Sequence, residues 1–340
     1  MLKEIQVCLC ITFLSAFGIF YELYQAPGCF FSCNPISKQV MTPEDVMTEG
    51  RSIVFLETTD HLQPRPLVLC SVESAARIYP ERPVIFFMKG LGNNTIADLK
   101  SCCPSLALLS AMKNVFLFPL QMDILFQDTP LLPWYLKVNA TQEKNWVYII
   151  SDAIRLAVVW KYGGIYMDTD VISIRPIPVA SFLAAQSSQF SSNGILGFQH
   201  RDKFLWDCMI DFVQHYNGNS WGNQGPYLVT RVLKRLCNLT NFENVIDQRC
   251  HNISFLHPIR FYPIPYPNWM AYYKVWDSRP EFNDSYALHL WNYMNNQQKE
   301  VTIGSNTLVE NLFKTYCPTT YRSLVQSAQE SEQMSQNKTR

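Results

Sequence analysis

Residues 151–174, SDAIRLAVVWKYGGIYMDTDVISI, limit what this chain can fold into more than any other stretch. Ile154, Ala157, Val158 and Lys161 recur at helical spacing, and Leu156 and Val159 widen the apolar stripe. Asp152 and Arg155 are three apart, so they share one face of what reads as the first helical turn, near its positive end. Gly163-Gly164 stops the helix, since a left-handed C-cap is easiest for glycine. Ile165-Tyr166-Met167 reads as a short buried strand of the parallel-sheet kind. Asp168-Thr169-Asp170 follows at the strand's carboxyl end, where open α/β sheets gather their ligands. Two carboxylates one residue apart at such an edge suit a hard divalent cation such as Mn2+ or Mg2+, whose remaining positions fill with water and phosphate oxygens. Acidic turns are common, and it is the setting that distinguishes this one.

On either side the chain alternates strand and helix. Apolar β-branched and aromatic runs at 52–58, 83–88 and 115–120, with helical spacing at 71–79, predict a parallel, doubly wound α/β sheet. A short strand is predicted at 171–174 and another at 192–198, where Gly194 and Gly197 would let a ligand or a backbone come close. An amphipathic helix follows at 204–216. Trp221-Gly222-Asn223-Gln224-Gly225-Pro226 sets two amides between glycines before a helix opened by proline. Amides bind sugar hydroxyls well because each carries donors and an acceptor. For the aromatic, proline-rich run 261–267 and then Trp269, Tyr272, Tyr273 and Trp276, core packing is the expected role of most, and a platform of apolar ring faces for an acceptor sugar is the other reading. Alternation at 287–292 puts His289 and Trp291 on one side of a strand.

The run D-x-x-R at 152–155, then G-G-I-Y-x-D-x-D at 163–170, resembles the DXD-containing sugar-binding region of nucleotide-sugar glycosyltransferases. More narrowly, the chain resembles the α-1,4-glycosyltransferases across roughly residues 50–322. The resemblance implies a Rossmann-like GT-A domain, with the strand at 52–58 approaching the uridine. It implies Mn2+ held by Asp168 and Asp170 and completed by a late histidine, here His289, with Trp291 beside the diphosphate. Asp152 and Arg155 would hold the donor sugar's hydroxyls, Arg155 being able to pair with phosphate as well. Asn223 and Gln224 would be the catalytic residues beside the anomeric carbon. Galactosyl-transferring relatives carry histidine where this chain has Asn223, which points to UDP-N-acetylglucosamine as donor. The implied reaction is retaining α-1,4 transfer of N-acetylglucosamine onto terminal β-galactose of mucin-type O-glycans. No carboxylate in these motifs is an obvious nucleophile, so attack from the front side with UDP assisting is favoured. Two other readings stay open: galactose transfer onto a glycolipid such as lactosylceramide, and a membrane-anchored lectin that binds sugar with Ca2+ and does no chemistry. EF-hand spacing is absent.

Residues 5–21 carry no charge and read as a transmembrane signal-anchor of near-minimal length. A cleaved signal peptide with Ala16-x-Gly18 as its site is the rival, but the apolar run continues to Tyr21. The expected order is a cytoplasmic tail at 1–4, the anchor, a stem at 22–50, a lumenal catalytic domain at 51–322 and a polar, disordered tail at 323–340. Sequons at Asn93, Asn139, Asn238, Asn252, Asn283 and Asn337 place everything after the anchor in the secretory lumen, as in a single-pass type II protein of the Golgi membrane. Cys29, Cys33, Cys70, Cys102, Cys103, Cys208, Cys237, Cys250 and Cys317 would be lumenal, which predicts disulfides with at least one thiol left over or pairing between chains. A bridge from Cys237 to Cys250 would close a polar excursion. Lys+Arg and Asp+Glu are both 28, and the absence of a basic excess argues against a nucleic-acid partner.

Overall fold

The computed structural model describes residues 41–48, 50–92, 99–187, 189–237 and 247–338. The expected cytoplasmic tail and anchor, most of the stem, and the Asn93 and Asn238 sequons lie outside them. Among the described residues no helix is long and apolar enough to cross a membrane. Residues from Pro43 onward form one compact unit, so the domain takes in the end of the expected stem: Pro43–Val46 is a helical turn and Met47 is buried.

One mixed eight-stranded sheet carries the fold. Its strands are β1 (Ile53–Glu57), β2 (Val84–Met88), β3 (Val115–Pro119), β4 (Gly164–Met167), β6 (Phe182–Ala185), β7 (Ser191–Phe198), β8 (Gln248–Cys250) and β9 (Ile253–Leu256), in the order β3-β2-β1-β4-β7-β6-β9-β8. The first four in that order are parallel, as the strand–helix alternation predicts. From β7 onward antiparallel pairs enter, because β7 follows β6 by a short connection and no crossover helix lies between β4 and β7. A separate ribbon joins β5 (Val171–Ser173) antiparallel to β10 (Ala287–His289).

Helices cover both faces. α1 (Pro66–Ile78) and α5 (Leu308–Tyr316) pack on one core cluster, while α2 (Trp146–Tyr162), α3 (Lys203–Gln214) and α4 (Pro226–Cys237) pack on the other. α2 begins five residues before the sequence places it, so Asp152 and Arg155 lie past its first turn and the helix dipole is not what supports them. α2 ends at Gly163, whose φ is 70°. Gly164 has φ 103°, and a Cβ there would sit 2.4 Å from the Ser52 carbonyl oxygen. Only glycine lets β4 lie this close to β1.

The tail at 323–340, expected to be disordered, is helical to Lys338 as part of α6 (Pro318–Lys338). Its first turn is anchored: Glu73 accepts from the Thr319 and Thr320 amides at 2.8 and 2.7 Å, and Cys70 is bridged to Cys317. The Cys237–Cys250 bridge is formed. Asn139, Asn252 and Asn283 are exposed.

Candidate functional site

Three elements converge at the carboxyl end of β4. The strand delivers Asp168, the turn after it delivers Asp170, and α2 presents Asp152 and Arg155 from the neighbouring layer. His289 arrives from 120 residues downstream because β10 pairs with β5 in the register that sets it opposite Val171. A short ribbon thus does what no local motif can. Trp291, in the left-handed region at φ 58°, bends the chain back so that the Asn292 amide reaches Asp170 Oδ2 at 2.8 Å.

Each aspartate spends one oxygen on the protein and turns the other inward. Asp168 Oδ1 accepts from the Tyr166 hydroxyl at 2.5 Å and pairs with Arg155 Nη1 at 3.0 Å. Its Oδ2 lies 3.9 Å from His289 Nε2. Asp170 Oδ2 is taken by the Asn292 amide, while its Oδ1 lies 3.3 Å from the same imidazole nitrogen. The Trp291 amide donates to His289 Nδ1 at 3.2 Å, which aims Nε2 at the two carboxylates. One donor atom from each of Asp168, Asp170 and His289 fits within 4.8 Å of the others. Two carboxylate oxygens and an imidazole nitrogen are a donor set for Mn2+ or a similar ion, and Gly194 leaves the space beside Asp168 Oδ2 clear. The residues therefore fit a divalent cation.

The charges are set by burial and by one arginine. Burial would raise Asp168, but Arg155, His289 and the Tyr166 hydroxyl hold it below the usual carboxylate range. Asp170 is raised by burial, with His289 pulling the other way and the charge on Asp168 adding to the rise. Burial lowers His289, yet Asp170 and Asp168 outweigh it and leave the imidazole above its ordinary value. Asp152 is pushed up to about 6 by burial, against the pull of Arg155 and the Asn193 amide.

Two cavities meet at these residues. One, of about 430 Å3, is lined by Glu57, Thr58, Thr59, Tyr148, Asp152, Arg155 and the Asp-Asp-His cluster. Its polar β1 end is where the sequence places the ligand edge. The second, of about 320 Å3, lies across Asp168 and is walled by aromatic side chains. Asp168, Asn193, His289 and Tyr293 border both.

The structure brings Asp152, Arg155, Asp168, Asp170 and His289 together and redistributes the rest. Arg155 is largely committed to the protein, donating to Ser151 O, Ser151 Oγ and Asn193 O besides pairing with Asp168. It orients the aspartate more than it reaches outward. Trp291 lines the second cavity rather than the first; its indole donates to Ile264 O at 2.7 Å, so it is not placed beside a diphosphate in the first. Asn223 and Gln224 border neither cavity. The Gln224 amide donates to Phe212 O at 2.7 Å and accepts from the Asn217 amide, and Asn223 donates to His215 O at 2.8 Å. Both amides tie their loop to the end of α3, because buried backbone groups there need partners. The same loop sends Trp221 to the second cavity and sets Gly225 against Asp152, where a Cβ would meet Oδ2 at 2.7 Å. Gly194 makes room for Asp168, whereas a Cβ on Gly197 would strike the Phe182 ring, so that glycine serves packing. Trp269 and Tyr272 are buried, which is the core role expected for most of that stretch.

The sequence reading missed Tyr166, Asn193, Trp221 and Tyr293. Tyr166 had a signal: in a strand, residues i and i+2 share a face, so its hydroxyl had to stand beside Asp168.

Residues 66–189 match the model of the glycosyltransferase sugar-binding region containing the DXD motif, and residues 197–324 match the alpha 1,4-glycosyltransferase conserved region. Human alpha-1,4-N-acetylglucosaminyltransferase is 57% identical over 96% of this chain and 95% of its own length. Rat lactosylceramide 4-alpha-galactosyltransferase is 40% identical over 80% of this chain and 76% of its own. Among solved structures, galactosyltransferase LgtC in complex with donor and acceptor sugar analogs aligns at a TM-score of 0.41 and 12% identity, over 78% of this chain and 95% of that one.

Proposed function

The chain belongs to the α-1,4-glycosyltransferase family, and from that premise we propose that it transfers N-acetylglucosamine from UDP-N-acetylglucosamine, in α-1,4 linkage with retention, onto terminal β-galactose of mucin-type O-glycans. The observation that carries the proposal is the Asp168–Asp170–His289 cluster opening onto a cavity that Arg155 and Asp152 also line. The choice of N-acetylglucosamine rests on the 57% identity to the human enzyme. Asn223, whose side chain faces His215 O, lends that choice no geometric support.

Asp168, Asp170 and His289 would hold Mn2+, which when bound supplies positive charge to the diphosphate as it departs. The chain's own residues do the rest. Arg155 and the Tyr166 hydroxyl pin Asp168 Oδ1, so its orientation does not have to be found during the reaction. Asp152, fixed by the Asn193 amide at 2.7 Å, offers its carboxylate to donor-sugar hydroxyls. Glu57 is held by Thr59 and sits at the β1 end of the cavity, where the uridine would lie. The protein acts as a single-pass type II enzyme of the Golgi membrane; the uncharged run at 5–21, the exposed sequons and the two disulfides support that placement.

The test is transfer from UDP-N-acetylglucosamine to a β-galactoside by full-length protein in detergent, with Mn2+ or chelator, beside Asp170→Ala. Metal-dependent product that the variant does not make is the expected result. Product from UDP-galactose alone would overturn the donor and keep the chemistry. Binding of sugar and metal without product from either nucleotide would leave a lectin.

A further inference from the structure

Beyond the donor side, and resting on the transferase reading above, the second cavity has a character of its own. Phe190, Trp221, Tyr227, Tyr266, Trp291 and Tyr293 wall it, and Trp221, Tyr227, Tyr266 and Tyr293 remain between 38% and 50% exposed. Four large aromatics held open to solvent around one hollow are not core packing. They are kept in place by one another. Trp221 stacks on Tyr293 with centroids 4.9 Å apart at 25°, Tyr148 meets Tyr293 edge-on at 5.3 Å, and Phe190 lies 5.0 Å from Tyr227. Such pairs are stable without being sealed, and leave ring faces available.

The charge pattern narrows the occupant. Neither lysine nor arginine lines this cavity among the described residues, and its charged groups are Asp168 and His289 at the floor. Arg155, which pairs with Asp168, lines the other cavity, so an anionic ligand would find no lysine or arginine in the lining of this one to pair with. A neutral pyranoside instead presents an apolar C–H face to the rings and hydroxyls to Gln186, Ser192 and Asn193. Tyr293 is the partition between the two cavities, and its turn hangs from Asp170 through the Asn292 amide. We propose that this aromatic hollow is the acceptor subsite, that it takes an uncharged galactopyranoside stacked on Trp221, and that Trp221 and Tyr293 are the residues that determine acceptor specificity.

The experiment measures steady-state kinetics of the full-length protein with methyl β-galactopyranoside and with its sulfated derivative, in wild type, Trp221→Ala, Trp221→Phe and Tyr293→Ala. The expected result is that Trp221→Ala and Tyr293→Ala raise KM for the neutral galactoside about tenfold, Trp221→Phe restores most of it, and in the two Trp221 variants, whose residue borders only the second cavity, the affinity for UDP stays within about threefold. The sulfated galactoside should be a poor acceptor for the wild type. An unchanged galactoside KM in both alanine variants overturns the proposal, as does equal use of the sulfated sugar. If the wild type turns over neither sugar nucleotide, the transferase reading has failed separately, and ligand-observed NMR with methyl β-galactopyranoside then decides. Binding lost in Trp221→Ala keeps the subsite; binding unaffected by it, or absent from the wild type, removes it.

Discussion

Asp168 Oδ2 lies 2.7 Å from the point where a Cβ on Gly194 would stand. Arg155 and Tyr166 hold its other oxygen at 3.0 and 2.5 Å, so the carboxylate can yield to a new methyl only by turning its inward oxygen. Gly194→Ala should therefore push the inward oxygen out of line while leaving β7 formed. The expected outcome is a ~10–100-fold weaker apparent affinity for Mn2+, the size seen when a ligand loses its support, with a melting temperature only a few degrees lower. A metal titration that superimposes on the wild type would show the space is not needed.

Asp152 is a buried acid raised to about 6 from 3.8. A folded-state value above the unfolded one means that its stabilising contribution is complete below about pH 3.8 and is lost as the pH rises through about 6. At pH 8 the ionised group is a cost, on the order of 2–3 kcal/mol at most. Asp152→Asn keeps an oxygen for the Asn193 amide and removes that cost. Relative to wild type it should melt higher at pH 8 than at pH 5, and lose transfer activity at both. A pH-independent difference in melting temperature would refute the assignment.

His289 is raised above 6.5 by the two aspartates in spite of its burial. In chelator, its contribution to stability is complete below about pH 6.5 and disappears as the pH climbs through the raised value. A cation must displace that proton to reach the nitrogen. The gap in melting temperature between Mn2+ and chelator should accordingly widen from pH 6 to pH 8, and His289→Ala should flatten it. A gap that stays constant in the wild type would be inconsistent with His289 as a ligand.

Gln224 is 2% exposed and bonded to Phe212 O and the Asn217 amide. Gln224→Ala strands a buried carbonyl and should cost about 1–3 kcal/mol in denaturant unfolding. Turnover per folded molecule should stay close to wild type. A large fall in kcat with unchanged stability would return this amide to the reaction centre.

These cases show how far the sequence could be read. The first four strands, the glycine turn and the two aspartates were legible because each depends on neighbours a few residues away: period, cap, strand end. Asp152 and Arg155 were legible as a pair for the same reason. The positions of Trp291, Asn223 and Gln224 were not, since an amide or an indole serves a cleft or a loose carbonyl equally well, and only the packed loop decides which. His289 was found by resemblance alone. The register that carries it, β10 on β5, is a long-range pairing without a local signature.

The bridge between Cys70 and Cys317 joins residues 247 apart, across the seam where Glu73 caps the last helix. That separation gives the molecule a schedule. At about 5–20 residues per second, Cys317 leaves the ribosome roughly 10–50 s after Cys70. Throughout that interval α1 carries a thiol with its destined partner unmade, while Cys237 and Cys250 become available to each other before it ends. The nearer bridge can close during synthesis and the distant one only at its end. Chains that stop short of Cys317 keep the Cys70 sulfur without its partner, and the contact between α1 and the last helix is never fastened.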